Sequence, residues 1–74
     1  MARVAHELLA TNIRAVAKAR GVSFVFLAAQ AGISTERLLA IFSGEFDPDL
    51  NLLFKLADGL GVPLWLLFYD PQLN

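Results

Sequence analysis

The sequence contains no cysteine and a single histidine, so it offers neither a disulfide framework nor a cluster of ligands for a metal. No apolar run approaches the roughly 18 residues that a membrane span needs, and the longest one, "VPLWLLFY", is far too short. Charges are spread through the first 20 residues, which lack the apolar run of a signal peptide. These absences predict a cytoplasmic protein with no cofactor, no metal and no membrane partner.

Charged residues are also few: they make up 18% of the chain, whereas 57% of the residues are apolar. Typical soluble domains are about 25% charged and about 45–50% apolar. Because a domain of 74 residues has proportionally more surface than a large one, some of these apolar side chains must be exposed. A large exposed apolar patch usually marks a binding site. With only six basic residues and a net charge of −1, the electrostatic attraction for nucleic acid is weak.

Glycine and capping residues divide the chain into helices. A chain of this length forms one domain, spanning residues 1–74. Strand alternation is nowhere sustained, and the first four helical patterns are each followed by a glycine that suits a helix end. The pattern predicts an all-α domain of five helices: Val4 to Arg20, Ser23 (as N-cap) to Ala31, Ser34 (as N-cap) to Ser43, Asp49 (as N-cap) to Leu60, and a short one from Pro63 to Tyr69.

The second and third helices, joined by a short turn at Gly32, form a helix-turn-helix. The segment "VSFVFLAAQAGIS" places the small Ala28 where the helices approach, and Ile33, Leu38 and Ile41 attach the third helix to the core. With the flanks "NIRAVAKARGVS" and "FDPDLNLLFKLADGLGVPLWLLF", the pattern resembles the phage Cro and lambda-repressor-like family over about residues 8 to 68. The resemblance implies a five-helix, repressor-like helix-turn-helix domain that binds DNA.

The resemblance also implies which residues meet DNA, and several of them are unusual. The family positions that face the major groove or its rim correspond to Phe24, Val25, Thr35, Glu36, Leu39 and Ala40. Arg14 corresponds to a position that contacts phosphate. The family commonly has Gln at position 24, Glu at position 42 and a polar or basic residue at position 46, and all three are Phe here. Trp65 and Leu66 replace a pair that is usually polar.

Because these departures all run from polar to apolar, we expect a contiguous hydrophobic surface on or beside the DNA-binding face. Aromatic residues grouped in a patch are typical anchors of protein interfaces. The expected function is therefore a protein-binding module, engineered in appearance, that binds a partner protein or a second copy and has lost most DNA binding. Core packing and a hydrophobic ligand pocket are the other interpretations of the same residues. The predicted interface comprises Phe24, Val25, Phe26, Ala29, Leu39, Phe42 and Phe46.

The C-terminal aromatics allow two interpretations. Trp65 and Phe68 are expected to cover the core, and the alternative is a second interface formed by Trp65 and Leu66.

The alternative function is a sequence-specific transcriptional regulator that binds DNA as a dimer. Thr35, Glu36 and Arg37 would then lie at the groove, and Arg14 on phosphate. An enzyme is not expected, because Ser23 and Ser34 are helix caps with no base to activate them, and no phosphate-binding loop or metal motif is present.

Overall fold

The computed structural model describes residues 5–70, which contain four α-helices, one 3-10 helix and no strand. The prediction of an all-α helix-turn-helix domain is confirmed. Val4, the predicted first residue of the first helix, lies outside the described residues. In chain order the elements are α1 (Ala5–Arg20), α2 (Phe24–Ala31), α3 (Thr35–Ser43), α4 (Leu50–Leu60) and the 3-10 helix (Leu64–Phe68).

The helices begin and end at the residues that the sequence marks. The side chains of Ser23, Ser34 and Asp49 each accept a hydrogen bond from the backbone N–H three residues later, at 2.8–3.1 Å. Such caps satisfy donors that the first turn of a helix leaves free. At the end of α2, Gly32 has a φ of 74°, in the left-handed region. A glycine there turns the chain sharply from α2 into α3 without steric strain.

The predicted fifth α-helix, from Pro63 to Tyr69, is a five-residue 3-10 helix instead. The backbone N–H of Leu66 donates to Pro63, and that of Tyr69 to Leu66, so the bonds span three residues rather than four. The Asn12 side chain on α1 donates to the carbonyls of Leu67 and Tyr69, at 2.8 and 2.9 Å. These two hydrogen bonds attach the end of the 3-10 helix to α1.

The core lies where α1, α2, α3 and α4 meet, and α2 packs against α4 while α1 packs against α3. Leu50 lies outside it and is 60% exposed, because side chains point back toward the start of their helix and Leu50 is the first residue of α4. The buried side chains are Leu9, Ala10, Ile13, Ala17, Leu27, Ala28, Ala31, Leu38, Ile41, Phe42, Leu56, Ala57, Leu60 and Leu67.

The close approach of α2 to α4 explains why a glycine, Gly59, occupies the interior of a helix. A methyl group added at Gly59 would lie 2.9 Å from Cδ1 of Leu27 and 3.4 Å from Cβ of Gln30. Leu27 is fully buried and has no free space to move into. The unfavourable helix propensity of glycine is therefore offset by the contact between the two helices.

We expect Gly59→Ala to lower the free energy of unfolding by about 1 kcal/mol, because overpacking (~1–3 kcal/mol) outweighs the gain in helix propensity (~1 kcal/mol). Thermal denaturation followed by circular dichroism measures the change. Asp58→Ala is the matched control, since Asp58 is exposed on the same helix and this change raises helix propensity without overpacking the core. A Gly59→Ala protein that melts higher than the wild type, as Asp58→Ala should, would contradict the tight α2–α4 contact.

Candidate nucleic-acid interface

The helices α2 and α3 form a helix-turn-helix in which their axes are bent by 99°. Leu38 and Ile41 of α3 are fully buried against α1 and α2, so the opposite side of α3 faces outward. No single helix within residues 5–70 is long and apolar enough to cross a membrane, and α2 with α3 reaches that length and composition only as a bent pair.

The outward side of α3 combines a few polar groups with apolar ones. Glu36 and Leu39 are exposed, and Thr35 and Ala40 lie half-buried on its flanks. Ser43, at the end of the helix, uses its hydroxyl to donate to the Ala40 carbonyl at 3.2 Å. The free hydrogen-bonding groups of this side are therefore one hydroxyl and one carboxylate.

A shallow groove of about 260 Å³ lies at the start of α2. It is lined by two basic side chains of α1, Arg14 and Lys18, and by Ser23 and Phe24 at the first turn of α2. No acidic residue occupies that first turn. Because a helix N-terminus carries partial positive charge and free N–H groups, two cations beside it create a site whose chemistry suits an anion such as phosphate.

Phe42 lies beside this groove, where its ring contacts Arg14. The guanidinium carbon of Arg14 lies 5.2 Å from the centroid of the Phe42 ring, a cation–π contact. Phe24 meets the same ring edge-on, with centroids 5.3 Å apart and planes at 68°. Two aromatic side chains thus hold Arg14 beside the start of α2.

Arg37 is held in a similar way. Its guanidinium carbon lies 4.5 Å from the centroid of the Phe46 ring, in the segment between α3 and α4. Within residues 5–70, neither Arg37 nor Arg14 forms an ion pair with a carboxylate. Both guanidinium groups therefore keep their charge uncompensated while an aromatic ring restrains them.

The predicted hydrophobic interface does not form one exposed surface. Phe42 is only 7% exposed and belongs to the core, so its expected role as a surface anchor is wrong. The burial of Phe42 could have been predicted from the sequence, because Phe42 follows the buried Leu38 by four residues and so lies on the same side of the helix. Phe24 and Phe46 are half-buried and pack against the core. The members that are exposed are Val25, Phe26 and Ala29 on α2 and Leu39 on α3.

The aromatic residues at the end of the described chain are exposed. Trp65 is 64% exposed and Phe68 39%, so these rings do not cover the core as expected. Trp65 instead meets Tyr69 edge-on, with centroids 6.4 Å apart. Leu66 beside it is half-buried, and its pairing with Trp65 in a second interface stays a prediction.

Lys18 was missed by the sequence analysis, although it follows Arg14 by four residues and therefore lies on the same side of α1.

A hollow of about 250 Å³ lies between the start of α1, the α3–α4 loop and Phe68, and of the predicted interface it includes only Phe46. Within residues 5–70, no three His, Asp or Glu side chains gather as metal ligands.

Comparison with known proteins identifies relatives of this fold. The model of the helix-turn-helix family HTH_3 matches residues 12–64, well over half of the chain. The chain is 30% identical to a structure described as a hypothetical transcription factor, NHTF, from Neisseria, with a TM-score of 0.82, covering 90% of this chain and 75% of that one. It is 33% identical to an HTH_3 family transcriptional regulator from Vibrio cholerae, with a TM-score of 0.76, covering 92% of this chain and 39% of that one.

A sequence relative agrees with these structures. An uncharacterized HTH-type transcriptional regulator of Methanocaldococcus jannaschii is 40% identical over 42 residues, which are 57% of this chain and 64% of that protein. This chain therefore spans less than two thirds of the length of that relative.

These findings correct the expected function. The prediction of an engineered protein-binding module is wrong, since the relatives are transcriptional regulators with the same domain, and an engineered origin finds no support in them. The prediction that the protein is not an enzyme is confirmed, because this class of regulators is non-enzymatic. With a family match over residues 12–64 and relatives of the same fold, the chain belongs to the helix-turn-helix family HTH_3.

Proposed function

We propose that this protein is a transcriptional regulator that binds specific DNA sequences as a dimer, with α3 in the major groove. The observation that carries the proposal is the groove at the start of α2, where Arg14 and Lys18 flank a helix N-terminus that has no acidic residue. Phosphate contacts supply much of the affinity for DNA and fix the orientation of the protein on the duplex. In this arrangement the groove binds the backbone beside the major groove that α3 enters.

The side chains of α3 then read the bases. Thr35 and Glu36, in the first turn, reach the groove first, as the N-terminal residues of a recognition helix do. Arg37 lies to one side over Phe46 and contributes charge near a phosphate rather than a base contact. Arg14, Thr35 and Glu36 keep the roles that the DNA-binding hypothesis gave them, Arg37 moves from the groove to the backbone, and Lys18 joins Arg14 there.

A second copy gives the protein two recognition helices. We place the dimer contact at Trp65 and Leu66, because Trp65, Phe68 and Tyr69 form an exposed aromatic group near the end of the described chain. Exposed aromatic residues that cluster in this way are typical interface anchors. Two copies related by a twofold axis would bind half-sites spaced about 34–36 Å apart, one turn of DNA.

Selection from random duplexes at low salt tests the proposal, and we expect one sequence to be enriched. Binding of that duplex should weaken steeply as salt rises. Arg14→Ala and Lys18→Ala should each weaken binding and lower the salt slope of log K by about 1, because each removes one phosphate contact. The affinity can be measured by fluorescence anisotropy.

Lys55→Ala is the matched control, because Lys55 is exposed on α4 and does not line the groove. It removes the same charge and should leave the salt slope unchanged. If selection enriches no sequence, the proposed function fails. If Lys55→Ala lowers the slope as much as Lys18→Ala, the groove at α2 is not the phosphate site.

A further inference from the structure

The outward side of α3 lacks the hydrogen-bond donors that usually read guanine. It carries no Lys, Asn or Gln, and its single Arg is stacked on Phe46. Guanine presents only acceptors, N7 and O6, in the major groove. The carboxylate of Glu36 and the isobutyl group of Leu39 cannot donate to them, so the Thr35 hydroxyl is the one donor that this side of α3 offers to a guanine.

Leu39 is the most prominent apolar group on that side. It is 46% exposed, and its neighbours Leu38 and Ile41 are fully buried, so the backbone that carries Leu39 is fixed by the core. Thr35 lies one turn earlier on the same side of α3 and adds a methyl group there. The result is a rigid patch of methyl groups on the helix that enters the groove.

We infer that Leu39 is a specificity-determining residue that selects thymine by contact with its C5-methyl group. The inference rests on the proposed function, since it requires α3 to lie in the major groove. Thymine is the one base that offers an apolar group there, and apolar side chains recognise it by burying that methyl. Cytosine in the same place would present a bare C5–H, and guanine would present acceptors but no apolar group.

The contact is tested by removing only the methyl group from DNA. In the duplex selected above, each thymine of one half-site is replaced in turn by deoxyuridine, which pairs identically and lacks the methyl. For the wild-type protein we expect one position at which the replacement weakens binding about fourfold, as expected for a single buried methyl group. Replacements elsewhere in the half-site should have little effect.

Leu39→Ala assigns the effect to the residue. This variant should bind the thymine and deoxyuridine duplexes equally at that position, while the wild type distinguishes them. Leu50→Ala is the matched control, because it truncates the same side chain at an exposed site on α4 and should keep the fourfold preference. Circular dichroism establishes that both variants retain their helices.

The outcomes separate the two proposals. If no duplex is enriched, the proposed function fails and the inference fails with it. If a duplex is enriched but no deoxyuridine replacement weakens binding, or Leu39→Ala keeps the preference for thymine, the protein reads DNA and the role assigned to Leu39 is overturned.

Discussion

Replacing Phe42 with alanine is expected to remove about 3–5 kcal/mol of stability, a large part of what a domain of this size has. The ring is buried, and its loss leaves a cavity between α1, α2 and α3. The edge-on contact with Phe24 and the stacking of Arg14 are lost with it. Urea denaturation followed by circular dichroism measures the free energy of unfolding.

Phe26→Ala is the matched control for this prediction. Phe26 is a phenylalanine of the neighbouring helix and is 51% exposed, so its truncation should change the free energy of unfolding by less than about 1 kcal/mol. A Phe42→Ala protein as stable as the wild type would place Phe42 on the surface, as the sequence analysis first expected. Equal losses in the two variants would contradict the orientation of α2.

The second large loss of stability is expected when Leu38 is replaced. This side chain is fully buried at the centre of α3, so Leu38→Ala should lower the free energy of unfolding by about 2–5 kcal/mol. For a domain of this size each kcal/mol shifts the melting temperature by about 4–8 °C. Thermal denaturation should therefore show a melting temperature at least about 8 °C below that of the wild type.

Leu39 provides the control for Leu38, because the two leucines are adjacent in sequence, but Leu38 is fully buried and Leu39 is 46% exposed. Leu39→Ala should shift the melting temperature by no more than a few degrees. Were both variants to lose similar stability, the assignment of Leu39 to the outward side would be wrong, and its proposed contact with thymine would have no basis.

The helix boundaries could be predicted from the sequence because single residues determine them. Ser23, Ser34 and Asp49 cap the helices as expected, and Gly32 turns the chain from α2 into α3. These effects act within three or four residues, so the local sequence contains the information. The 3-10 helix was predicted as an α-helix, and its attachment to Asn12, which is 55 residues from the Leu67 carbonyl that it binds, cannot be inferred from the local sequence.

The candidate site was harder to predict, because it depends on contacts between side chains of different helices. The aromatic residues at positions 24, 42 and 46 were interpreted as a hydrophobic surface. The structure gives them two other functions: Phe42 fills the core, and the rings of Phe42 and Phe46 support Arg14 and Arg37. An aromatic residue at a position that the family resemblance implies to be polar can thus support a charge instead of replacing it.

The way in which Arg14 is held has a consequence for acidic solutions. A carboxylate partner would gain a proton at low pH and release the guanidinium, and at neutral pH it would compete with a phosphate for the same N–H groups. The phenyl ring of Phe42 has no proton to exchange and accepts no hydrogen bond from those groups in their own plane. The contact that holds Arg14 therefore contains no group that gains a proton in acid.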